Sequence, residues 1–183
     1  LGAAFLDIST GEFMVAEGSE DFIHKLIQNL NPSEILYAKP QRKKFETLFG
    51  MDFHVYSLDD WIFTLDFGYD RLIQHFQTSN LKGFGIEDQQ LSIAAAGACL
   101  HYLEQTHHDF VDHITSISRI EEDTYVWIDN FTVRNLEIIY PNHTNGKSVL
   151  QILDQTSTPM GGRLLKKWLV LPLKSLSGIQ QRH

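Results

Sequence analysis

The chain has 183 residues, 43% of them hydrophobic, with 15 Lys+Arg against 23 Asp+Glu for a net charge of −8. That size holds one large domain, or one domain with part of another, around a real core. No apolar run approaches the roughly 18 to 20 residues that cross a bilayer and no signal peptide is visible. The lone Cys99 excludes an internal disulfide, so the expectation is a cytoplasmic protein away from membranes.

The pattern along the chain first alternates strand and helix. Ala3 to Ile8 and Glu12 to Ala16 are short apolar-rich runs joined by Ser9-Thr10-Gly11, which predicts a hairpin. Ser19 caps a helix with Phe22, Ile23, Leu26, Ile27 and Leu30 on one face, and Asn31-Pro32-Ser33 ends it. Glu34 to Ala38 reads as strand, Arg42 to Phe49 as helix, Asp52 to Tyr56 as extended, and Leu58 to Gln77 as a longer helix. On that helix Trp61, Leu65, Leu72 and Phe76 face the core and Asp70, Arg71 and Gln74 face outward. Gly83 and Gly85 punctuate a loop at positive φ. A helix from Gln89 to Gln105 follows, and its centre Ala94-Ala95-Ala96-Gly97-Ala98 lets a neighbour approach closely. This order predicts an α/β sandwich with a mixed sheet.

Two extended runs, His113 to Ile120 and Thr124 to Ile128, precede a wholly helical remainder, and the boundary is placed near residue 122. Asp129 or Asn130 caps a helix carrying Phe131, Arg134, Asn135 and Ile138. A second start is Thr158-Pro159, followed by a glycine pair and a basic helix with Arg163, Lys166 and Lys167 opposite Leu164, Leu165, Trp168 and Leu169. Charge changes across the same boundary. Residues 1–118 carry 7 Lys+Arg and 17 Asp+Glu, a net of −10, whereas residues 119–183 carry 8 and 6, a net of +2. A module of −10 is repelled by phosphate backbones, so protein surfaces are its expected partners. Leu1 stands within an apolar run and 175–183 read as the first turns of a cut helix, so the expectation is an excised piece.

Several segments carry a family likeness. Leu6-Asp7-Ile8-Ser9-Thr10-Gly11-Glu12-Phe13, Asn31-Pro32-Ser33-Glu34-Ile35-Leu36-Tyr37, Gly83-Phe84-Gly85 and the helix ending Leu100-His101-Tyr102-Leu103 resemble the connector domain of the MutS family of DNA mismatch-recognition ATPases. Ile128-Asp129-Asn130-Phe131-Thr132-Val133-Arg134-Asn135-Leu136-Glu137-Ile138 is similar to the strand-to-helix entry of that family's helical core. The segment from Ser148 to Pro172 is similar to the core's first helices. The resemblance implies a connector over residues 1–122, a ribonuclease-H-like mixed sheet flanked by helices, and a truncated start of the all-α lever domain over 123–183. It also implies a link between the mismatch-reading and ATPase domains, a docking surface for MutL, and contacts with the remaining MutS domains. For the full-length parent it implies mismatched duplex DNA as substrate, ATP and Mg as cofactors, and a homodimer.

Two family motifs are missing from the sequence: the Phe-x-Glu mismatch wedge and the Gly-x-x-x-x-Gly-Lys-Ser/Thr phosphate loop. The expectation is therefore that this piece is not an enzyme and holds no cofactor or metal of its own. Other constellations have bland readings. Asp7, Glu12 and Asp52 invite a two-metal nuclease, but Asp7 is expected to accept from the amides of its own turn. Cys99, His101, His107, His108 and His113 lack the paired spacing of a zinc site. Gly83-x-Gly85 lacks the third glycine of a dinucleotide loop. Asp70, Arg71 and Gln74 lie on the helix that the resemblance assigns to MutL docking. Arg163, Lys166 and Lys167 are expected to pair with other domains, with direct DNA binding as the alternative, as Arg134 and Glu137 are also expected to do.

Overall fold

Two short apolar-rich runs joined by a glycine-containing turn produce β1 (Gly2–Asp7) and β2 (Glu12–Glu17), antiparallel with Asp7 opposite Glu12, in a computed structural model that describes residues 1–50, 53–106 and 111–182. The Asp7 carboxylate accepts from the Ser9 amide at 2.9 Å and the Ser9 hydroxyl at 2.6 Å, while its carbonyl accepts from Gly11. Gly11 has φ +74°, and a Cβ there would strike the His113 carbonyl, so only glycine fits this turn. Phe13 to Ala16 of β2 are all buried.

The described residues form two compact units. The first comprises Leu1–His24 and Pro32–Ile120, and the second Lys25–Asn31 and Glu121–His183. The division falls inside α1 (Glu20–Leu30), whose first turn is capped by the Ser19 hydroxyl, which accepts from Phe22 N at 3.1 Å. The first unit continues with β3 (Ile35–Ala38), α2 (Arg42–Phe49), β4 (Val55–Leu58), α3 (Leu65–Phe76), α4 (Gln90–Gln105) and β5 (Ser118–Arg119). β5 runs parallel to β2, giving a three-stranded mixed sheet in the order β1-β2-β5, and β3 and β4 form a separate parallel pair. The core gathers Phe13 and Val15 of β2, Leu72 of α3, Ile93 and Leu100 of α4, and Ile114.

α3 and α4 meet at two glycines. A Cβ on Gly97 would run into the Cα of Gly68, and one on Gly68 would sit 2.5 Å from the Ile93 carbonyl. The small-residue stretch thus does what its composition predicts, with α3 as the close neighbour.

In the second unit a 3-10 turn (Glu122–Thr124) precedes α5 (Asn130–Asn135), α6 (Val149–Leu153), α7 (Pro159–Val170) and α8 (Leu176–Arg182). Its core is Ile138, Ile139, Val170 and Leu171, with Leu30, Tyr125 and Trp127 packed against them. Phe131, Tyr140, Ile152 and Leu176 are strongly exposed. Among the described residues no helix is long and apolar enough to cross a membrane.

Four expectations need correction. The helix expected from Leu58 starts at Leu65: Leu58 ends β4, residues Asp60–Phe63 form a 3-10 turn, and Thr64 is extended at φ −92°, ψ 151°. The strand expected over His113 to Ile120 reduces to two residues, and Thr124 to Ile128 forms only one bridge, Tyr125 to Leu173. The sheet hydrogen bonds fall into two sets instead of one. Gly85 has positive φ and Gly83 does not. Asp52 and the start of its extended run, and likewise His107 and His108, lie outside the described residues.

Candidate functional site

The first unit carries an aromatic and charged face built by α3, α4 and the 3-10 turn before α3. Thr64 closes that turn by donating its hydroxyl to the Trp61 carbonyl at 2.9 Å. Trp61 is thereby pushed outward: 55% of it is exposed, although helical spacing predicts a core residue. Its ring meets Phe67 edge-on at 5.0 Å and His101 at 5.7 Å, and Phe67 meets His101 at 5.4 Å. Beside them Tyr56 of β4 packs against Tyr102, whose hydroxyl donates to Glu34 at 2.9 Å.

The three residues expected on the outer face of this helix divide. Asp70 and Gln74 are exposed. Arg71 is partly buried: its guanidinium donates to Glu104 at 2.7 Å and lies 5.4 Å over the Phe67 ring. It also approaches His101 Nδ1 at 3.4 Å, so Nδ1 accepts and Nε2 carries the ring proton. That Nε2 is buried without a partner among the described residues. Burial first, and the Arg71 charge second, hold the His101 imidazole below its ordinary value, against the smaller opposing pull of Glu104. Arg71 therefore ties α3 to α4 and is less a free surface contact than its spacing implies.

The basic helix α7 begins with the Thr158 hydroxyl accepting from Gly161 N at 3.1 Å and Pro159 at its first position. Arg163 is exposed, while Lys166 and Lys167 are partly buried. Val170 turns into the core, and the Arg182 guanidinium lies 4.7 Å over the Trp168 ring. The Glu137 carboxylate accepts from the Asn142 amide at 3.0 Å, and the Arg134 carbonyl accepts from the Asn142 side chain at 3.2 Å. Both residues thus hold their own loop, a role that a reading toward other domains does not include.

Among the described residues no three His, Cys, Asp or Glu side chains converge as metal ligands. The carboxylate of Asp7 serves its turn. His113 Nε2 donates to the Ile8 carbonyl at 2.6 Å, and burial pushes the Cys99 thiol up to about 12. Gly146-Lys147-Ser148 reads like the tail of a phosphate loop, but Pro141 stands where its first glycine belongs. Ser148 is fully buried, and its hydroxyl accepts from Gln151 N in a capping box that starts α6.

Comparison with known proteins divides the chain in the same order. A family model described as MutS domain II matches residues 1–115, and one described as MutS domain III matches residues 131–183. The chain is 55% identical over 182 residues to the DNA mismatch repair protein MutS of Cytophaga hutchinsonii. It is 51% identical over 183 residues to that of Flavobacterium johnsoniae and 52% over 182 to that of Parabacteroides distasonis. Each comparison covers 100% of this chain and 21% of the relative, so the chain spans about a fifth of their length.

Proposed function

This chain belongs to the MutS family, and on that premise we propose that it is the connector and the opening of the helical core of a DNA mismatch repair protein. Residues 1–122 form the connector, with a ribonuclease-H-like fold, and residues 123–183 begin the lever domain. The antiparallel opening hairpin followed by parallel pairing supports that assignment. The observation that carries the reading is the succession of both domain matches on one chain.

In this role the chain performs no chemistry. It joins the mismatch-reading and ATPase domains, transmits nucleotide-dependent motion between them, and presents a docking surface to MutL. The parent would bind mismatched duplex DNA, use ATP and Mg, and act as a homodimer. A rigid α3–α4 pair suits both jobs, because a hinge-free element transmits displacement and keeps a binding face in register. Arg163, Lys166 and Lys167 on α7 would meet carboxylates of the remaining domains, with contact to DNA as the rival use.

The docking face is placed on the outer stripe of α3, at Asp70 and Gln74, with Arg71 as its support. The test is calorimetric titration of this chain with MutL. Reversing the charge at Asp70 with Asp70→Lys and placing a new one at Gln74 with Gln74→Glu is expected to weaken binding about tenfold or more, as loss of central interface contacts does, with an unchanged melting temperature. Unaltered affinity in that double variant would remove α3 from the interface. Arg71→Glu is a poor probe here, since it would set a second carboxylate against Glu104 and disturb the fold itself.

A further inference from the structure

Trp61 has an arrangement that neither the fold nor the helix pair requires. More than half of it is open to solvent, yet its ring makes edge contacts with Phe67 and His101. Asp59 and Asp60 precede it, and Asp66 and Asp70 follow one turn apart on α3. Asp59 is paired with Lys39 at 2.6 Å and Glu104 with Arg71 at 2.7 Å. Asp60, Asp66 and Asp70 are exposed and have no cation within ion-pair distance among the described residues. Asp66 and Asp70, four residues apart on one helix face, repel each other mildly until a cation comes between them.

An exposed indole can stack a cation, and the exposed carboxylates of Asp60, just before Trp61, and of Asp66 and Asp70, on the helix that follows it, favour the same charge. The surrounding module carries a net of −10 over residues 1–118, which steers cations toward it and phosphates away. We propose that Trp61 anchors a docking site for an arginine-bearing protein segment, whose guanidinium stacks on the indole and is held by Asp60, Asp66 and Asp70. Arginine suits the site better than lysine because its planar, weakly hydrated guanidinium stacks on aromatic faces and forks onto carboxylates. The same stacking already occurs one residue away in space, where Arg71 covers Phe67. The proposal rests on the reading of this face as a protein-docking surface and names the chemistry of what docks there.

The probe is a nine-residue peptide of alternating arginine and glycine, titrated into the ¹⁵N-labelled chain while the three tryptophan indole N–H signals are followed. The Trp61 signal, identified by its absence in Trp61→Phe, is expected to move, with Trp127 and Trp168 still. The citrulline version of the peptide, equal in shape but uncharged, is expected to leave it in place. Trp61→Ala, and separately Asp60→Asn plus Asp66→Asn, should each weaken binding about tenfold. The second variant touches only exposed side chains, so the proposal stays testable even if Trp61→Ala unfolds. A peptide that moves Trp168 instead, binds the aspartate variant equally well, or binds as well with citrulline overturns it. If MutL binds Trp61→Ala normally, this site fails while docking stands. If MutL ignores the chain but the arginine peptide seats on Trp61, the docking assignment fails and this site stands.

Discussion

At the scale of single residues, two side chains carry consequences that their local sequence hides. Glu17 lies at the end of β2, yet its Oε2 accepts from the amides of Leu91 at 2.9 Å and Ser92 at 3.3 Å, the free N–H groups that open α4. Gln89, the residue before that helix, makes no side-chain cap. Glu17 therefore caps a helix 74 residues away, with the helix dipole adding to the charge-assisted bonds. Glu17→Ala is expected to lower stability by about 1–2 kcal/mol, measured by urea unfolding; no change would show that water serves the helix end as well. His101 gives a pH dependence of defined sign. Its folded value lies below the ordinary 6.5, so the unfolded chain binds the extra proton first. The contribution is complete above pH 6.5 and is lost as pH falls below it. The melting temperature should thus fall between pH 7.5 and 5, and fall less in His101→Gln; parallel profiles for the two proteins would contradict this. Neither effect was legible in sequence, because each depends on a partner brought close only by the fold.

Elements show why some of the fold could be read directly and some could not. The hairpin, α1 and α2 follow from strong local signals: Gly11 in the turn, Ser19 as cap, Asn31-Pro32 as stop. The longer helix predicted from Leu58 does not form as one piece: Trp61, Leu65, Leu72 and Phe76 keep a helical spacing while the backbone between Leu58 and Leu65 does not. Thr64 is extended, and its hydroxyl closes the preceding turn. That break turns Trp61 from a core residue into a surface anchor, so the candidate site itself was only half legible. Asp70 and Gln74 are exposed, as the helical spacing predicts, whereas Arg71 is partly buried because its partner Glu104 belongs to another helix. The α3–α4 crossing yields a further prediction. Gly97→Ala would gain about 1 kcal/mol of helix propensity, but its methyl would press on the Gly68 backbone, which cannot rotate away. Overpacking against main chain costs about 2–3 kcal/mol, so the net effect in thermal unfolding is a loss. A more stable Gly97→Ala would show that the helices can part freely.

For the whole molecule, charge and exposure separate the two units. The acidic first unit presents aromatic rings and carboxylates, and the second leaves Phe131, Tyr140 and Leu176 open and carries a basic helix. Large apolar groups left open in this way are candidate contacts for a partner surface where they adjoin one another. The likeness to MutS domains II and III and the 21% coverage of the relatives agree with that character. The measurement that bears most directly on this is a parallel titration of the chain with MutL and with a mismatched DNA duplex, at two salt concentrations. The expected result is saturable heat with MutL and none with DNA at either salt. Firm DNA binding that falls steeply with salt and disappears in Lys166→Glu plus Lys167→Glu, with MutL silent, would instead assign the chain to DNA contact through α7.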